Sequence, residues 1–373
     1  MIHLAEPVRV LYVHGGKLNY GGTEAYMMNY YRHFDHSRLQ IDFAVHGFER
    51  GVYEDEIEAL GGRVFYVPVK SQDYSGNKRA LREIFRSGAY QAVHSHMDAM
   101  NAVVLKQAME CGVPVRISHS HNTQHQTQNR LKLLLNDFEK KRIPRYATDL
   151  FACSDAAGKW LYGDASFTVL HNAIDAQQYR FDPELRKRMR SSLGLDGLFV
   201  VGHVGRFHFQ KNHAYLLEIF HCLHRAHPQS VLLLVGDGEL RPELEAKIEE
   251  LGIKDNVMLA GNRADVSALL QAMDVFLFPS LFEGLGIALL EAQCAGLPCI
   301  ASDAVPAEAN ITETVQYFAL EQQPSVWAEA VWKAKNIMRT DHCETIKAMG
   351  YDIGEQALKL QEFYFKRMHE KRG

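Results

Sequence analysis

Residues 276–302 read FLFPSLFEGLGIALLEAQCAGLPCIAS. VFLFPS (275–280) is an apolar run of strand length, ALLEAQCAG is helical, and PCIAS (298–302) is strand-like again. Strand, helix, strand in close succession is the unit of a parallel sheet with helices on both faces. Working outward, the unit recurs. Upstream lie strand-like LFVVGHVG (198–205), SVLLLVGDG (230–238) and NVMLAG (256–261), separated by helical KNHAYLLEIFHCLHRAH, ELRPELEAKIEELG and ADVSALLQAM. An earlier run holds VRVLYVH (8–14), LQIDFAVHG (39–47), RVFYVPV (63–69), YQAVHSH (90–96), VPVRISHSH (113–121) and DLFACS (149–154).

The pattern breaks at about 172–182 and restarts, which predicts two Rossmann-like domains, 1–172 and 173–352. A last amphipathic helix, 353–373, should dock on a domain through Ala357, Leu360, Phe363 and Phe365. A length of 373 residues suits two or three domains at about 150 residues each. In open parallel sheets ligands sit outside the carboxyl ends of strands, so chemistry is expected there, in a cleft between two facing sheets.

Composition narrows the function class. Apolar residues make up 47% and charged residues 23%, and the net charge is −4, which excludes a disordered chain and gives no basic field for nucleic acid. The six cysteines form no CxxC pair, as packed thiols of a reducing compartment would not. The opening MIHLAEPVRVLYVHGG lacks a basic n-region, and no run approaches the roughly 18 apolar residues of a spanning helix. The expectation is a cytoplasmic protein, at most docked on the inner face of a membrane.

Three loops that follow strands carry the candidate chemistry. The first, HGGKLNYGGTE, offers Gly15, Gly16, Gly21 and Gly22 either as a tight turn or as backbone able to approach a phosphate or sugar. It fits neither a dinucleotide nor a P-loop fingerprint. The second, VGHVGRFHFQKN, places Arg206 and Lys211 where they would hold a pyrophosphate or simply be solvated. The third holds Glu283 in a Gly-flanked turn and Glu291 in the helix after it. Its helix N-terminus could receive an anion. Glu291 lies among apolar neighbours and needs a hydrogen-bond donor such as a ribose hydroxyl. Two carboxylates also admit a glycoside hydrolase.

Nineteen histidines raise the question of a metal. His94 and His96 alternate on one strand and His119 and His121 on another, so each pair can share a face. No HExxH, Cys/His cluster or Asp-x-Asp pair accompanies them, and no metal and no cofactor are expected. Hydrogen bonding to sugar or phosphate, or a structural role, remains for each. Residues 130–146, RLKLLLNDFEKKRIPRY, combine apolar and basic residues, either as a solvated helix face or as contact with a membrane that carries a lipid-linked acceptor.

Taken together, GGTE (21–24), HSHN (119–122), HNAID (171–175), GRFHFQKN (205–212), LLLVGDGEL (232–240), LAGNRADV (259–266) and the Glu-x7-Glu segment 279–298 resemble the retaining glycosyltransferases of family 4, which have the GT-B fold. The resemblance spans nearly the whole chain and is nearest the exopolysaccharide and capsule branch. It implies two facing Rossmann-like domains, with the last helix crossing back to the first. The second domain would bind a nucleotide-sugar, UDP being the favoured nucleotide, and the first a saccharide or lipid-linked acceptor. Arg206 and Lys211 match the diphosphate-binding pair, Glu283 the glutamate near the donor sugar, and Glu291 the glutamate on the ribose. Gly286 and Ile287 match backbone donors to sugar or phosphate, Asn262 and Arg263 the base-reading turn, and Gly22 the first glycine loop. His121 matches the active-site histidine, with His119 the alternative; Ala173 stands where many members have glycine. The implied reaction is metal-independent transfer with retention, aided by hinge closure. A hydrolase, a nucleotide-sugar epimerase and a non-catalytic nucleotide-binding protein are the rival readings.

Overall fold

A computed structural model describes residues 7–87 and 90–370. Residues 1–6, within the opening stretch, and 371–373, at the end of the last expected helix, lie outside the described residues. The chain divides into two compact units. One holds residues up to Asn19, Thr23–Ala173 and the segment from Ile353, and the other holds Tyr20–Gly22 and Ile174–Asp352.

Among the described residues of the first unit, seven parallel strands form one sheet. They are β1 (Val8–His14), β2 (Leu39–His46), β3 (Val64–Val67), β4 (Ala92–His96), β5 (Val115–Ser120), β6 (Asp149–Ala152) and β7 (Thr168–Val169), in the order β3-β2-β1-β4-β5-β6-β7. All eight residues of β2 and all five of β4 are buried, the mark of a parallel sheet covered on both faces. Two of this unit's helices, for example, start at side-chain caps. Asp73 accepts from Gly76 N–H ahead of Tyr74–Arg86, and Ser154 accepts from Ala157 N–H ahead of Asp155–Tyr162. The last helix, Ile353–Glu370, belongs to this unit. Its Tyr364 hydroxyl lies 3.0 Å from that of Tyr12 on β1, and Arg367 pairs with Asp149 of β6 at 2.9 Å.

The second unit has six described strands, again all parallel: β8 (Phe199–Val204), β9 (Ser230–Val235), β10 (Val257–Gly261), β11 (Val275–Phe278), β12 (Cys299–Ser302) and β13 (Val315–Phe318). Their order is β10-β9-β8-β11-β12-β13. One core packs Val201, Leu232, Leu234, Val275, Leu277 and Ile300 of the sheet against Leu216, Phe220 and Trp327 of helices. Both sheets reverse direction of growth once, between β1 and β4 in the first and between β8 and β11 in the second. Such switch points open a crevice at the strands' carboxyl ends.

Candidate functional site

At the second unit's switch point, β8 leads into Gly205 and Arg206, then a short turn, Phe209–Lys211, and the helix His213–Ala226. Asn212 joins turn to helix at φ 54°, a left-handed conformation that Asn tolerates better than most residues. Glu283 follows β11. Lys211 Nζ lies 2.6 Å from Glu283 Oε1, with both side chains largely buried (17% and 6% exposed). Gln210 ties the two loops together: its Nε2 donates to Phe282 O at 2.9 Å and to Glu283 Oε2 at 3.3 Å, while its carbonyl accepts from Leu281 N–H at 2.8 Å. Lys211 and Glu283 thus meet although 72 residues separate them.

Neighbouring strand ends are backbone-shaped. Gly236 after β9 sits at φ +136°, and a Cβ there would stand 2.1 Å from Gly205 O, so only glycine lets these loops approach. Gly236 N–H also donates to Gly261 O at the end of β10, which joins three strand ends into one rim. His203 of β8 is buried beneath it. Its Nδ1 lies 2.8 Å from Leu277 O, and burial pulls its pKa down to about 3.

The helix Ile287–Cys294 begins at Gly286, whose φ of +89° admits glycine most easily. A Cβ on Gly286 would lie 3.7 Å from Glu283 Cγ, so this helix start adjoins the Lys211–Glu283 pair. The Leu289 and Leu290 N–H groups both bond Gly286 O, and the N–H groups of Ile287 and Ala288 stand ahead of that ladder, where a helix offers donors to an anion. Glu291, one turn on, is buried, and burial raises its pKa from the ordinary 4.5 to about 7. Its donor is the Tyr179 hydroxyl, 2.8 Å from Oε1. Tyr179 closes the short helix Ala176–Tyr179, capped by Asp175 of HNAID. The sequence reading called for a donor to Glu291 and missed Tyr179. The Asp cap at the end of HNAID was the available signal.

Two candidate cations face other partners. Arg206 is 60% exposed and pairs with Glu239 at 3.0 Å. Arg263, beside Asn262 in the turn after β10, grips Asp265 with two hydrogen bonds at 2.7 and 2.6 Å. Gly22 opens the helix Gly22–Arg32, with open space where a Cβ would stand.

In the first unit the four histidines form one layer at the ends of β4 and β5. His94 stacks on His96, and His119 on His121, each pair at 4.2 Å between ring centres. His121 N–H donates to Asp98 at 2.8 Å, and Asn122 donates to the same carboxylate at 2.7 Å. Asp98 itself sits at φ 46°, a backbone strain that Asp and Asn bear best. His94, His96 and His119 bring one possible ligand atom each within 4.8 Å of one another. Two of these rings already face each other, His94 Nε2 lying 3.1 Å from His119 Nδ1.

With this geometry in view, the relatives place the chain. The sequence model described as Glycosyltransferase Family 4 matches residues 20–178, and that described as Glycosyl transferases group 1 matches residues 186–349. Putative glycosyltransferase EpsF of Bacillus subtilis is 34% identical over 95% of this chain and 96% of its own length. The UDP-Gal:alpha-D-GlcNAc-diphosphoundecaprenol alpha-1,3-galactosyltransferase of Escherichia coli is 29% identical over 81% and 83%. Anabaena Alr3699/HepE, solved in complex with UDP and glucose, superposes with a TM-score of 0.78 over 95% of this chain and 98% of its own, at 18% identity. The chain belongs to the family 4 glycosyltransferases and has the GT-B fold.

The raised pKa of Glu291 makes stability depend on pH. Its proton is held more tightly in the folded chain than in the unfolded one, so the folded chain loses stability as pH rises from about 4.5 to about 7, by an amount on the order of 3 kcal/mol. Glu291→Gln removes this term. The melting temperature of the wild type relative to Glu291→Gln should fall between about pH 5 and pH 8, and a difference that stays constant would contradict the burial account.

Proposed function

We propose that this glycosyltransferase moves a hexosyl group from a UDP-sugar to a saccharide or lipid-linked acceptor in exopolysaccharide or capsule synthesis. Transfer proceeds with retention of configuration and without a metal or cofactor. The observation that carries the reading is the Lys211–Glu283 pair at the switch point of the second sheet, adjoining a helix N-terminus. A cation and aligned N–H groups suit a leaving diphosphate, and a carboxylate suits sugar hydroxyls. The UDP-Gal and diphosphoundecaprenol in the E. coli relative's name, and UDP in the Anabaena complex, support the nucleotide and the lipid-linked acceptor.

In this reading the second unit binds the donor and the first the acceptor. Glu291 accepts from the ribose, Asn262 and Arg263 border the base, and Gly286 and Ile287 offer backbone donors. As the anomeric C–O bond breaks, charge grows on the diphosphate and is met by Lys211, by the helix N-terminus and by Arg206. Arg206 leaves an exposed pair with Glu239, worth about 0–1 kcal/mol, so changing partners costs little. The acceptor hydroxyl attacks the anomeric carbon from the face the diphosphate leaves and passes its proton to a phosphate oxygen. The new C–O bond therefore keeps the donor's configuration. His121 serves as the active-site histidine and Gly22 as part of the amino-terminal glycine loop.

Among the described residues, no helix is long and apolar enough to cross a membrane. Peripheral docking on the inner membrane face is supported by the helix Arg130–Lys140, where Leu131, Leu134 and Phe138 are 78%, 68% and 59% exposed beside Arg130 and Lys132.

Lys211→Ala and Glu283→Ala should each lower UDP release from UDP-galactose or UDP-glucose in the presence of acceptor extract by about 100-fold or more, and EDTA should leave wild-type turnover unchanged. Near-normal turnover in both variants would overturn the site. In flotation with anionic vesicles the wild type should rise with the lipid at low salt, and Leu134→Ser with Phe138→Ser should stay below; equal flotation would remove the membrane role of this helix.

A further inference from the structure

The histidine layer carries more than stacking. His96 Nδ1 lies 2.9 Å from His121 Nε2, and His94 Nε2 lies 3.1 Å from His119 Nδ1. Beyond His94, its Nδ1 meets the Tyr364 hydroxyl at 2.6 Å, and Tyr364 meets Tyr12. Two ring nitrogens, His96 Nε2 and His119 Nε2, are buried with no protein partner. Burial holds all four imidazoles neutral, their pKa values pulled well below the ordinary 6.5 and that of His121 to about 3.

A neutral imidazole has one proton to place on two nitrogens, and each ring-to-ring bond needs a proton from one side only. Either direction leaves His96 Nε2 alone, as a buried N–H or as a bare lone pair. Orphaned buried N–H groups are the rarer kind in folded proteins. Two rings, His36 and His213, have no hydrogen-bond partner at either buried nitrogen and so record no choice, whereas His203 has a partner at one. There the partner of Nδ1 is a carbonyl, which can only accept, so the proton is on Nδ1 and the buried, unpartnered Nε2 is bare. Applied to His96, the rule puts the proton on Nδ1, from where it is donated to His121 Nε2. His121 must then keep its own proton on Nδ1. The same logic runs the second string from His119 Nδ1–H to His94, from His94 Nδ1–H to Tyr364, and from the Tyr364 hydroxyl to Tyr12.

We infer that His96 is a positioning residue: it fixes His121 as the Nδ1–H tautomer, so that His121 meets the bound sugar as a hydrogen-bond donor to a hydroxyl oxygen and not as a base. The inference rests on His121 being the active-site histidine. Of the four rings, His121 is the most exposed, at 7%, against 4% for His96 and 0% for the other two. His96, less exposed, reaches His121 through Nδ1, 2.9 Å from its Nε2.

The test combines tautomer and turnover in the full chain. With 15N-labelled histidine, long-range 1H–15N correlation distinguishes Nδ1–H from Nε2–H rings. Wild-type His96 and His121 should both show the Nδ1–H pattern. His96→Leu should release His121 to the other tautomer and lower UDP release from UDP-galactose or UDP-glucose by about tenfold, the worth of one hydrogen bond. UDP affinity should be unchanged. His96→Asn, whose amide N–H can replace the donor, should restore both readouts, which loss of packing alone would not do. An Nε2–H pattern at wild-type His121 overturns the inference. So does normal turnover in His96→Leu while His121→Ala is impaired. If His121→Ala also turns over normally, the reading of His121 as the active-site histidine falls, and the tautomer spectra tell this case apart by still showing His96 in control of the ring.

Discussion

A lysine and a glutamate drawn out of water side by side constrain the second unit. Lys211 follows β8 and Glu283 follows β11, the two strands between which the sheet changes its direction of growth. Taking both charges out of solvent costs several kcal/mol per ion before their attraction is counted, and removing one partner leaves the other uncompensated. Such a pair is a poor device for stability alone. In the function proposed above it serves as a prepared site, with the ammonium held still by Glu283 and the carboxylate by Gln210.

The backbone around the pair follows from that requirement. Gly236 and Gly286 occupy left-handed conformations where a side chain would collide or strain, which lets the β8 loop and the helix Ile287–Cys294 approach one point. Glu291 then falls one turn inside that helix, in apolar surroundings that favour its protonated form, with the Tyr179 hydroxyl as its donor. The first unit solves a similar problem with neutral groups. A layer of imidazoles replaces ion pairs, and the strained Asp98 holds the His121 backbone from the side.

Much of this was legible in the sequence, for a physical reason. Strands buried on both faces tend to be apolar runs, so β9 and β11 stand out by composition, and β2 and β8 are legible although Gln40 and Asp42 interrupt the one and His203 the other. The two-residue β7 is too short to register, and in β13, VQYF, only Val315 is buried, so no continuous apolar run marks it. The helix Pro183–Ser192 buries none of its side chains and so leaves no apolar period, although Asp182 and Pro183 are a helix-start signal. Alternation placed His94 with His96 and His119 with His121. That the two pairs form one layer depends on strand register, with His94 opposite Ile117, which spacing along the chain does not encode. The partners of the charged residues were likewise hidden. Arg206 meets Glu239 and Glu291 meets Tyr179 through tertiary approach, 33 and 112 residues apart.

The account turns on where the nucleotide binds, and hydrogen–deuterium exchange of the whole chain with and without UDP, in EDTA, addresses that directly. Amides that UDP contacts or orders should exchange more slowly. The account predicts slowed exchange confined mainly to the Gly205–Asn212 loop and the first two turns of Ile287–Cys294, undiminished by the chelator. Unchanged exchange in both segments at saturating UDP, or protection only elsewhere in the chain, would contradict it.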